Sequence, residues 1–209
     1  MPAPAGFWVS LDGVDGTGKT TVAGRLAERL PALRPVPEFS DAPVGRYLSG
    51  AVSESPHVIS PSLLGQSLAF LSDFFHQYEL GVAEGRRRGD LVLSDRGPLS
   101  KYVYQSVVLG RAYDGARVAR VLDALFDLIS WPDLTIYLSC DPETLRTRLL
   151  RRDGRCDEAR MAFLAEFEAR FRSVLGTRTN VVELHQPPGM TGEEATVRAL
   201  ELIRAHRPG

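Results

Sequence analysis

A glycine-rich segment near the N-terminus has the residue types and spacing that bind nucleotide phosphates. Residues 13–20 read Gly-Val-Asp-Gly-Thr-Gly-Lys-Thr, directly after a short apolar run and at the start of a helical pattern. The glycines let backbone N–H groups and the N-terminus of the following helix point at phosphate oxygens. In such a loop the lysine reaches the β- and γ-phosphates, and the last hydroxyl residue ligates Mg²⁺. We therefore predict nucleotide binding by Gly13, Asp15, Gly16, Thr17, Gly18, Lys19, Thr20 and Thr21.

A second candidate pair, Asp95-Arg96, follows the apolar run Leu91 to Ser94. At the carboxyl end of a central strand, Asp95 would lie near the phosphates and hold Mg²⁺ directly or through water. Arg96 would bind an acceptor phosphate or the transferred group. The structural alternative is a helix-capping aspartate beside a solvated arginine. The sequence has no N-K-x-D segment of the kind that reads the base in GTPases. The run Leu91 to Ser94 ends in Asp95-Arg96, where the corresponding strand of motor ATPases usually ends in an Asp-Glu pair.

An arginine segment, defined here as residues 146–155, contains Arg146, Arg148, Arg151, Arg152 and Arg155. The last four are spaced i, i+3, i+4 and i+7, which predicts one shared helix face. Their mutual repulsion calls for a countercharge, and a nucleoside triphosphate would provide it. We predict that Arg148, Arg151 and Arg155 stabilise charge on the transferred phosphoryl group, in a lid over about residues 146–160 that breaks at Gly154. A solvated helix face is the alternative.

Short apolar runs alternate along the chain with longer stretches of helical period. The runs predict strands at Phe7–Leu11, Val36–Phe39, Leu91–Ser94, Leu134–Ser139 and Val181–Leu184. The helical stretches predict helices at Lys19–Leu30, Pro61–Arg88, Ala116–Ile129, Pro142–Arg152, Glu158–Leu175 and Glu193–Ala205. Strands that alternate with helices indicate βαβ units, and nearly continuous apolar strands indicate a sheet covered on both faces. The prediction is an α/β fold with a five-stranded parallel sheet, in one domain over residues 1–209.

The composition excludes several classes of protein. The chain has 25 basic and 26 acidic residues, which argues against binding of a nucleic acid polymer through a broad cationic face. No apolar run approaches the ~20 residues of a membrane span, and the N-terminus lacks a signal-peptide pattern, so a cytoplasmic location is predicted. Of the basic residues only Lys19 and Lys101 are lysines. Lys19 belongs to the glycine-rich loop, whereas the sequence gives Lys101 no role.

Taken together, these segments resemble the thymidylate kinases, which transfer a phosphoryl group from ATP to a nucleoside monophosphate. The resemblance is carried by residues 11–21, by Ser94-Asp95-Arg96 with Ser100 and Tyr104-Gln105, and by residues 132–143. It implies a three-layer P-loop kinase fold with an arginine-rich lid, ATP and Mg²⁺ as cofactors, and a homodimer formed through long helices such as Pro61–Arg88. The implied acceptor contacts are Asp15 to the sugar 3′-hydroxyl, Arg96 to the phosphate, Tyr104 beside the sugar, and Phe70 stacked on the base.

Three positions depart from the pattern of that family. Phe39 and Phe74 stand where the family has arginines for the acceptor phosphate and the base, and Gly97 stands where it has a tyrosine. Two charge-assisted contacts of about 1.5–3 kcal/mol each would be lost, which weakens the expectation of thymidylate as acceptor. Phe74 itself is predicted to line the acceptor pocket.

These departures leave a second hypothesis open for the acceptor. Glu38 lies where related deoxynucleoside kinases have the base that takes the 5′-hydroxyl proton, although it could equally ligate Mg²⁺ or cap a helix. Gln66, one turn before Phe70, matches their glutamine that bonds a base edge. A nucleoside kinase with Glu38 as general base is therefore the alternative to a nucleoside-monophosphate kinase. A third hypothesis is a non-catalytic nucleotide-binding switch that keeps the loop but has no acceptor site.

Overall fold

The computed structural model describes residues 6–54, 60–176 and 179–207. Its strands are β1 (Phe7–Asp12), β2 (Leu33–Val36), β3 (Leu91–Asp95), β4 (Leu134–Cys140) and β5 (Val181–Gln186). All of them run parallel in one sheet with the order β2-β3-β1-β4-β5. This order puts β1, which leads into the glycine-rich loop, in the centre of the sheet. The predicted five-stranded parallel sheet is confirmed.

Helices fill the connections between these strands. They are α1 (Lys19–Arg29), α2 (Pro43–Glu54), α3 (Leu63–Gln77), α4 (Glu84–Arg88), α5 (Pro98–Gly110), α6 (Gly115–Phe126), α7 (Pro142–Asp153), α8 (Glu158–Leu175) and α9 (Gly192–His206). A π-helical segment, Tyr78–Ala83, joins α3 to α4. Within the described ranges, every helix is too short or too polar to cross a lipid bilayer.

Both faces of the sheet are covered, which explains the nearly continuous apolar strands. On one face, Val9 and Leu11 of β1 pack in a core with Val22 of α1 and Ile203 of α9. On the other face, a second core combines Tyr137 of β4 with residues of α5, α7 and α8, among them Leu99, Leu149 and Phe167. The helices thus form a layer on each side of the sheet.

The second strand lies earlier in the chain than predicted, at Leu33–Val36 rather than Val36–Phe39. Pro35 can lie inside the strand because β2 is at the edge of the sheet, where a proline removes no ladder hydrogen bond. The shift has a consequence for the site. Glu38 and Phe39 lie beyond the strand, in the loop that leads to α2.

The helix predicted over Pro61–Arg88 begins two residues later and is interrupted. Ser62 caps α3 by accepting a hydrogen bond from the Gly65 amide at 3.2 Å.

Helix α5 was not predicted, because its cap comes from a distant part of the chain. The Asp12 carboxylate at the end of β1 accepts hydrogen bonds from the amides of Gly97 and Ser100 at 3.0 and 2.9 Å. The start of α5 is therefore fixed against the glycine-rich loop.

Candidate active site

The glycine-rich loop wraps tightly between β1 and α1. Its glycines Gly13, Gly16 and Gly18 have φ values of 138°, 86° and 89°, in the region that favours glycine. The Lys19 side chain folds back over the loop, and its Nζ donates a hydrogen bond to the Val14 carbonyl at 2.8 Å. Burial, reinforced by the nearby Arg96, lowers the pKa of Lys19 to about 8. The loop is therefore shaped for phosphate, with an ammonium group at its centre.

Most of the predicted loop residues line a donor cleft of about 1560 Å³, namely Asp15, Gly16, Gly18, Lys19, Thr20 and Thr21. The other two lie behind the loop and shape it. Thr17 is fully buried, and its hydroxyl donates to the Val14 carbonyl at 2.9 Å. The Gly13 carbonyl accepts a hydrogen bond from Arg96 at 2.9 Å.

Thr20 and Asp95, the predicted metal ligands, are in contact, and Thr20 lines the donor cleft. The Thr20 hydroxyl, in the first turn of α1, donates to Asp95 Oδ2, at the end of β3, at 2.6 Å. The second carboxylate oxygen, Oδ1, is buried and has no hydrogen-bond partner among the described residues. An unpartnered carboxylate oxygen beside a hydroxyl fits the oxygen ligands that Mg²⁺ prefers.

Arg96 is held in a strained conformation where β3 ends. Its φ of 71° is the only positive value for a non-glycine residue in the described part of the chain. Its amide donates to the Leu11 carbonyl at 2.9 Å. The next residue must be small, because a Cβ at Gly97 would lie 2.6 Å from the Cβ of Ser10. A tyrosine, the family's residue at this position, would clash with Ser10 unless the neighbouring atoms shifted.

Glu38 lies between two cations. Its Oε1 is 2.7 Å from Arg96 Nε and 3.8 Å from Lys101 Nζ. Burial alone would raise the pKa of Glu38, but Arg96 and Lys101 outweigh it and hold that pKa below its usual range. Glu38 also raises the pKa of Arg96 against the opposing effect of burial. Glu38 is therefore an ionised partner of two cations.

Helix α3 anchors the loop that carries Glu38 and Phe39. The Ser40 amide donates to Asp73 Oδ2 at 3.2 Å, and the Ser40 hydroxyl bonds the other oxygen of the same carboxylate. One turn further on, Gln77 donates from its amide to the Pro37 carbonyl at 2.8 Å. The loop is thus positioned from α3, the helix that also carries Phe70.

An acceptor cleft of about 930 Å³ opens on the other side of Arg96. It is lined by the predicted residues Asp15, Glu38, Gln66, Phe70, Arg96 and Tyr104, and also by Phe39, Lys101, Gln105, Arg155 and Arg160. The rings of Phe39 and Phe70 lie 6.1 Å apart. The Tyr104 ring stacks on Phe167 at 4.1 Å and lies 5.1 Å from the Arg96 guanidinium carbon. Burial raises the pKa of Tyr104, so its hydroxyl stays protonated.

Two predicted pocket residues have structural partners. Gln66 lines the cleft, and its side-chain oxygen accepts a hydrogen bond from the Ser60 amide at 3.1 Å.

The prediction that Phe74 contacts the acceptor is wrong. Phe74 is only 6% exposed and packs in a core with Phe75 and Phe126, at ring distances of 5.5 and 5.8 Å. Four residues after Phe70, the helix turns its side chain toward α6.

The arginine segment does not form one helix face, because α7 ends at Asp153 and Gly154 has a left-handed φ of 71°. Arg155 therefore leaves the helix and lines the acceptor cleft. Arg151 lines the donor cleft. Arg148 also faces the donor cleft, where its guanidinium donates to the Gln186 side chain at 3.0 Å. These contacts favour a role for Arg148 in shaping the donor side.

Sequence reasoning did not predict the two arginines that bind Asp15, since it placed Arg152 in the arginine segment without a partner and did not consider Arg160. Arg152 donates to both carboxylate oxygens at 3.0 and 2.7 Å, and Arg160 of α8 donates at 3.1 Å. Burial alone would raise the pKa of Asp15, but Arg152 and Lys19 outweigh it, so the pKa is well below its usual value. Arg160 also pairs with Asp153 at 2.7 Å. The arginine segment and α8 are thus tied to the loop.

The donor and acceptor clefts meet at four residues that line both, Asp15, Glu38, Arg96 and Arg152. Lys101 lines only the acceptor cleft, next to Glu38 of this junction, and is the cation to which the sequence assigned no role. The available signal was its rarity, since it is one of two lysines among 25 basic residues. Nothing in its local pattern indicates which residues surround it.

Comparison with known proteins identifies the family. The family model for thymidylate kinase matches residues 11–193. A probable thymidylate kinase of Pyrobaculum aerophilum is 33% identical over 154 residues, 70% of this chain and 71% of the relative. Another, from Pyrobaculum calidifontis, is 28% identical across 95% of this chain and 100% of its own length. The thymidylate kinase structure from Candida albicans shares the fold, with a TM-score of 0.75, 19% identity, and coverage of 96% of this chain and 92% of that one. The chain belongs to the thymidylate kinase family, a family of ATP-dependent nucleotide kinases.

Proposed function

We propose that this chain transfers the γ-phosphoryl group of ATP to thymidine monophosphate. The observation that carries the proposal is the meeting of a phosphate-shaped donor cleft and a ring-lined acceptor cleft at Arg96 and Asp15. The names of the relatives, thymidylate kinase and probable thymidylate kinase, point to the same acceptor.

On the donor side, the loop amides and Lys19 would bind the phosphates of ATP. Thr20 and Asp95 would hold Mg²⁺, which neutralises charge that develops on the phosphates when bound. Arg148 and Arg151 line the same cleft. We further propose that residues 146–160 act as a lid, supported by the left-handed break at Gly154 and by the ion pairs to Asp15.

On the acceptor side, Phe70 would stack on the base, with Gln66 near its edge. Tyr104 would lie beside the sugar, whose 3′-hydroxyl would donate to Asp15. Arg96 would hold the acceptor phosphate at the junction of the two clefts. Its strained backbone and its bond to the Gly13 carbonyl fix the guanidinium before substrate arrives.

The reaction needs positioning more than proton transfer. An oxygen of the acceptor phosphate, already ionised at neutral pH, attacks the γ-phosphorus, and the bond from that phosphorus to the β–γ bridging oxygen breaks. Lys19, Arg96 and the arginines of the segment would stabilise the charge on the transferred group, with Arg155 entering from the acceptor side. A general base has no proton to remove.

The nucleoside-kinase alternative requires Glu38 to act as that base. A general base works best with a pKa near the working pH, whereas Arg96 and Lys101 hold the pKa of Glu38 below its usual range. The non-catalytic switch is disfavoured by the second cleft, since about 930 Å³ is ample space for an acceptor.

An acceptor panel tests the proposal. The protein is incubated with γ-labelled ATP, Mg²⁺ and, in turn, each nucleoside and its monophosphate, with Lys19→Ala as the inactive control. We expect labelled thymidine diphosphate from thymidine monophosphate. Labelled monophosphate from thymidine would instead establish the nucleoside kinase, and ATP binding without transfer to any acceptor would establish the switch.

Assembly and location complete the proposal. We propose one kinase domain over residues 1–209 that forms a cytoplasmic homodimer and binds no nucleic acid polymer. The dimer is supported by α3, on which Leu64 and Leu68, one turn apart, are 46% and 54% exposed. Light scattering on the purified protein should give twice the monomer mass.

A further inference from the structure

Lys101 is a buried cation in a pocket wall. It is 5% exposed, yet it lines the acceptor cleft from the second turn of α5. Its Nζ lies 5.2 Å from the centre of the Phe39 ring and 6.0 Å from that of Phe70. Taking an ammonium group out of water is costly unless a countercharge compensates for it. The surroundings of Lys101 should therefore reveal what it binds.

The countercharge that Lys101 has in the protein is incomplete. Glu38 Oε1 lies 3.8 Å from Lys101 Nζ, but the same oxygen is closer to Arg96, at 2.7 Å. Two buried cations thus share one carboxylate oxygen. Asp73 and Asp95 also favour the charged form of Lys101, but among the described residues only Glu38 forms an ion pair with it. Burial still lowers the pKa of Lys101, so its charge is only partly compensated.

A phosphate monoester would supply the missing charge. It carries about −1.5 to −2 charges at neutral pH, whereas a nucleoside carries none. The side chain that stands where the family has its acceptor-phosphate arginine is Phe39, whose ring packs beside the Lys101 ammonium. A positive charge is therefore still present beside this position, but it comes from α5 rather than from the loop after β2.

We propose that Lys101 binds the acceptor phosphate together with Arg96, and that it thereby selects a nucleoside monophosphate over the free nucleoside. This inference rests on the proposed function, because it concerns the acceptor of that same reaction. The competing role is a hydrogen bond from Lys101 to a base carbonyl. The distances favour the phosphate, since Lys101 Nζ is nearer to Glu38 and Phe39 than to Phe70.

The test is calorimetric binding of thymidine monophosphate and of thymidine to the whole protein without ATP. The variants are Lys101→Met, which keeps the length but removes the charge, and Lys101→Gln, which keeps a polar group. Arg87→Met is the matched control, because Arg87 is 71% exposed on α4 and pairs with Glu84. We expect both Lys101 variants to bind the monophosphate about 10- to 100-fold more weakly and thymidine within about twofold of wild type. ADP binding and the thermal transition verify that each variant is folded.

Each result decides the inference. Equal weakening of monophosphate and thymidine in both variants would overturn it in favour of a base contact, and unchanged monophosphate affinity would overturn it outright. Failure of the proposed function would look different. Wild-type protein would then bind thymidine monophosphate in the calorimeter, with affinity that depends on Lys101, but would not phosphorylate it in the acceptor panel.

Discussion

The donor and acceptor clefts are built in different ways. The phosphate-binding wall of the donor cleft comes from one continuous segment, residues 13–20, whose backbone groups any sequence of that pattern presents, while α7 and residues 186–192 line most of the rest. The acceptor cleft is assembled from side chains of separate elements: Glu38 and Phe39 after β2, Phe70 on α3, Arg96 after β3, Lys101 and Tyr104 on α5, and Arg160 on α8. In a cleft that is assembled in this way, a cation lost from one element can be replaced by a cation on another element, and the total charge of the cleft is kept.

The loss of the two family arginines illustrates this difference. Phe39 remains in the acceptor cleft, where it packs beside Lys101, whereas Phe74 has joined the core. Cations reach the same cleft from other elements, in Lys101 and Arg160. On the donor side no such replacement of a cation is found among the described residues, and the lysine of the glycine-rich loop stands at the position that the pattern requires.

The largest effect is expected from a comparison of two phenylalanines of helix α3, Phe74 in the core and Phe70 in the acceptor cleft. Phe74→Ala should lower the free energy of unfolding by about 3–5 kcal/mol, because it leaves a cavity between Phe75 and Phe126. Phe70→Ala should change stability far less but weaken binding of thymidine monophosphate about tenfold, since Phe70 lines the cleft and is only partly buried. Denaturant unfolding and calorimetry measure the two quantities. If Phe74→Ala weakened acceptor binding in a protein of unchanged stability, our placement of Phe74 in the core would be wrong.

The second prediction concerns the junction of the clefts. Asp15→Asn keeps the shape of the side chain but removes the charge that Arg152 and Arg160 bind, together with the proposed sugar acceptor. We expect kcat/KM for thymidine monophosphate to fall about 10- to 100-fold and ADP affinity to change little, because backbone amides bind the donor. Asp123→Asn on the exposed face of α6 is the control. Amide hydrogen exchange should also become faster in residues 150–157, because the ion pairs of this segment to Asp15 are lost. Wild-type kinetics and unchanged slow exchange in the variant would contradict the proposed role of these ion pairs.

Much of the fold was predictable because its signals are local. Burial on both faces makes the strands continuously apolar, and helix α8 was predicted with the bounds that the structure shows, Glu158–Leu175. Helix α5 was missed because its cap, Asp12, lies 85 residues before Gly97. Strand β2 was misplaced because Pro35 breaks a strand only when neighbours pair on both sides.

The same distinction holds for the candidate site. The loop residues Lys19 and Thr20 were predictable because phosphate binding fixes their spacing along the chain. Arg160 and Lys101 were not, since each depends on which elements pack together. The i, i+3, i+4, i+7 spacing even misled us about Arg155, because Gly154 ends the helix before it.

The third prediction tests the donor side through pH. The Lys19 pKa of about 8 means that the free protein loses this proton as the pH rises above 8. Bound phosphates favour the charged amine and raise the pKa, so binding is accompanied by proton uptake. The Kd for ADP should be nearly constant around pH 7 and rise by up to about tenfold per unit between pH 8 and 9.5. Calorimetry in buffers of different ionisation enthalpy measures the number of protons taken up when ADP binds. If the Kd of Lys19→Met rose equally steeply with pH, the titrating group would be a residue other than Lys19.

The smallest expected effect tests whether Lys101 on α5 replaces the arginine that the family has at the position of Phe39. Phe39→Arg restores the arginine of the family next to Arg96 and Lys101. Because Lys101 already supplies the second cation, the added charge meets two like charges, and the Kd for thymidine monophosphate should change by no more than about threefold. In the Lys101→Met background the same substitution should recover most of the lost affinity, since one cation then replaces another. A large gain from Phe39→Arg alone would show that the acceptor phosphate still lacks a partner in the wild-type protein, and that the charge on α5 serves another purpose.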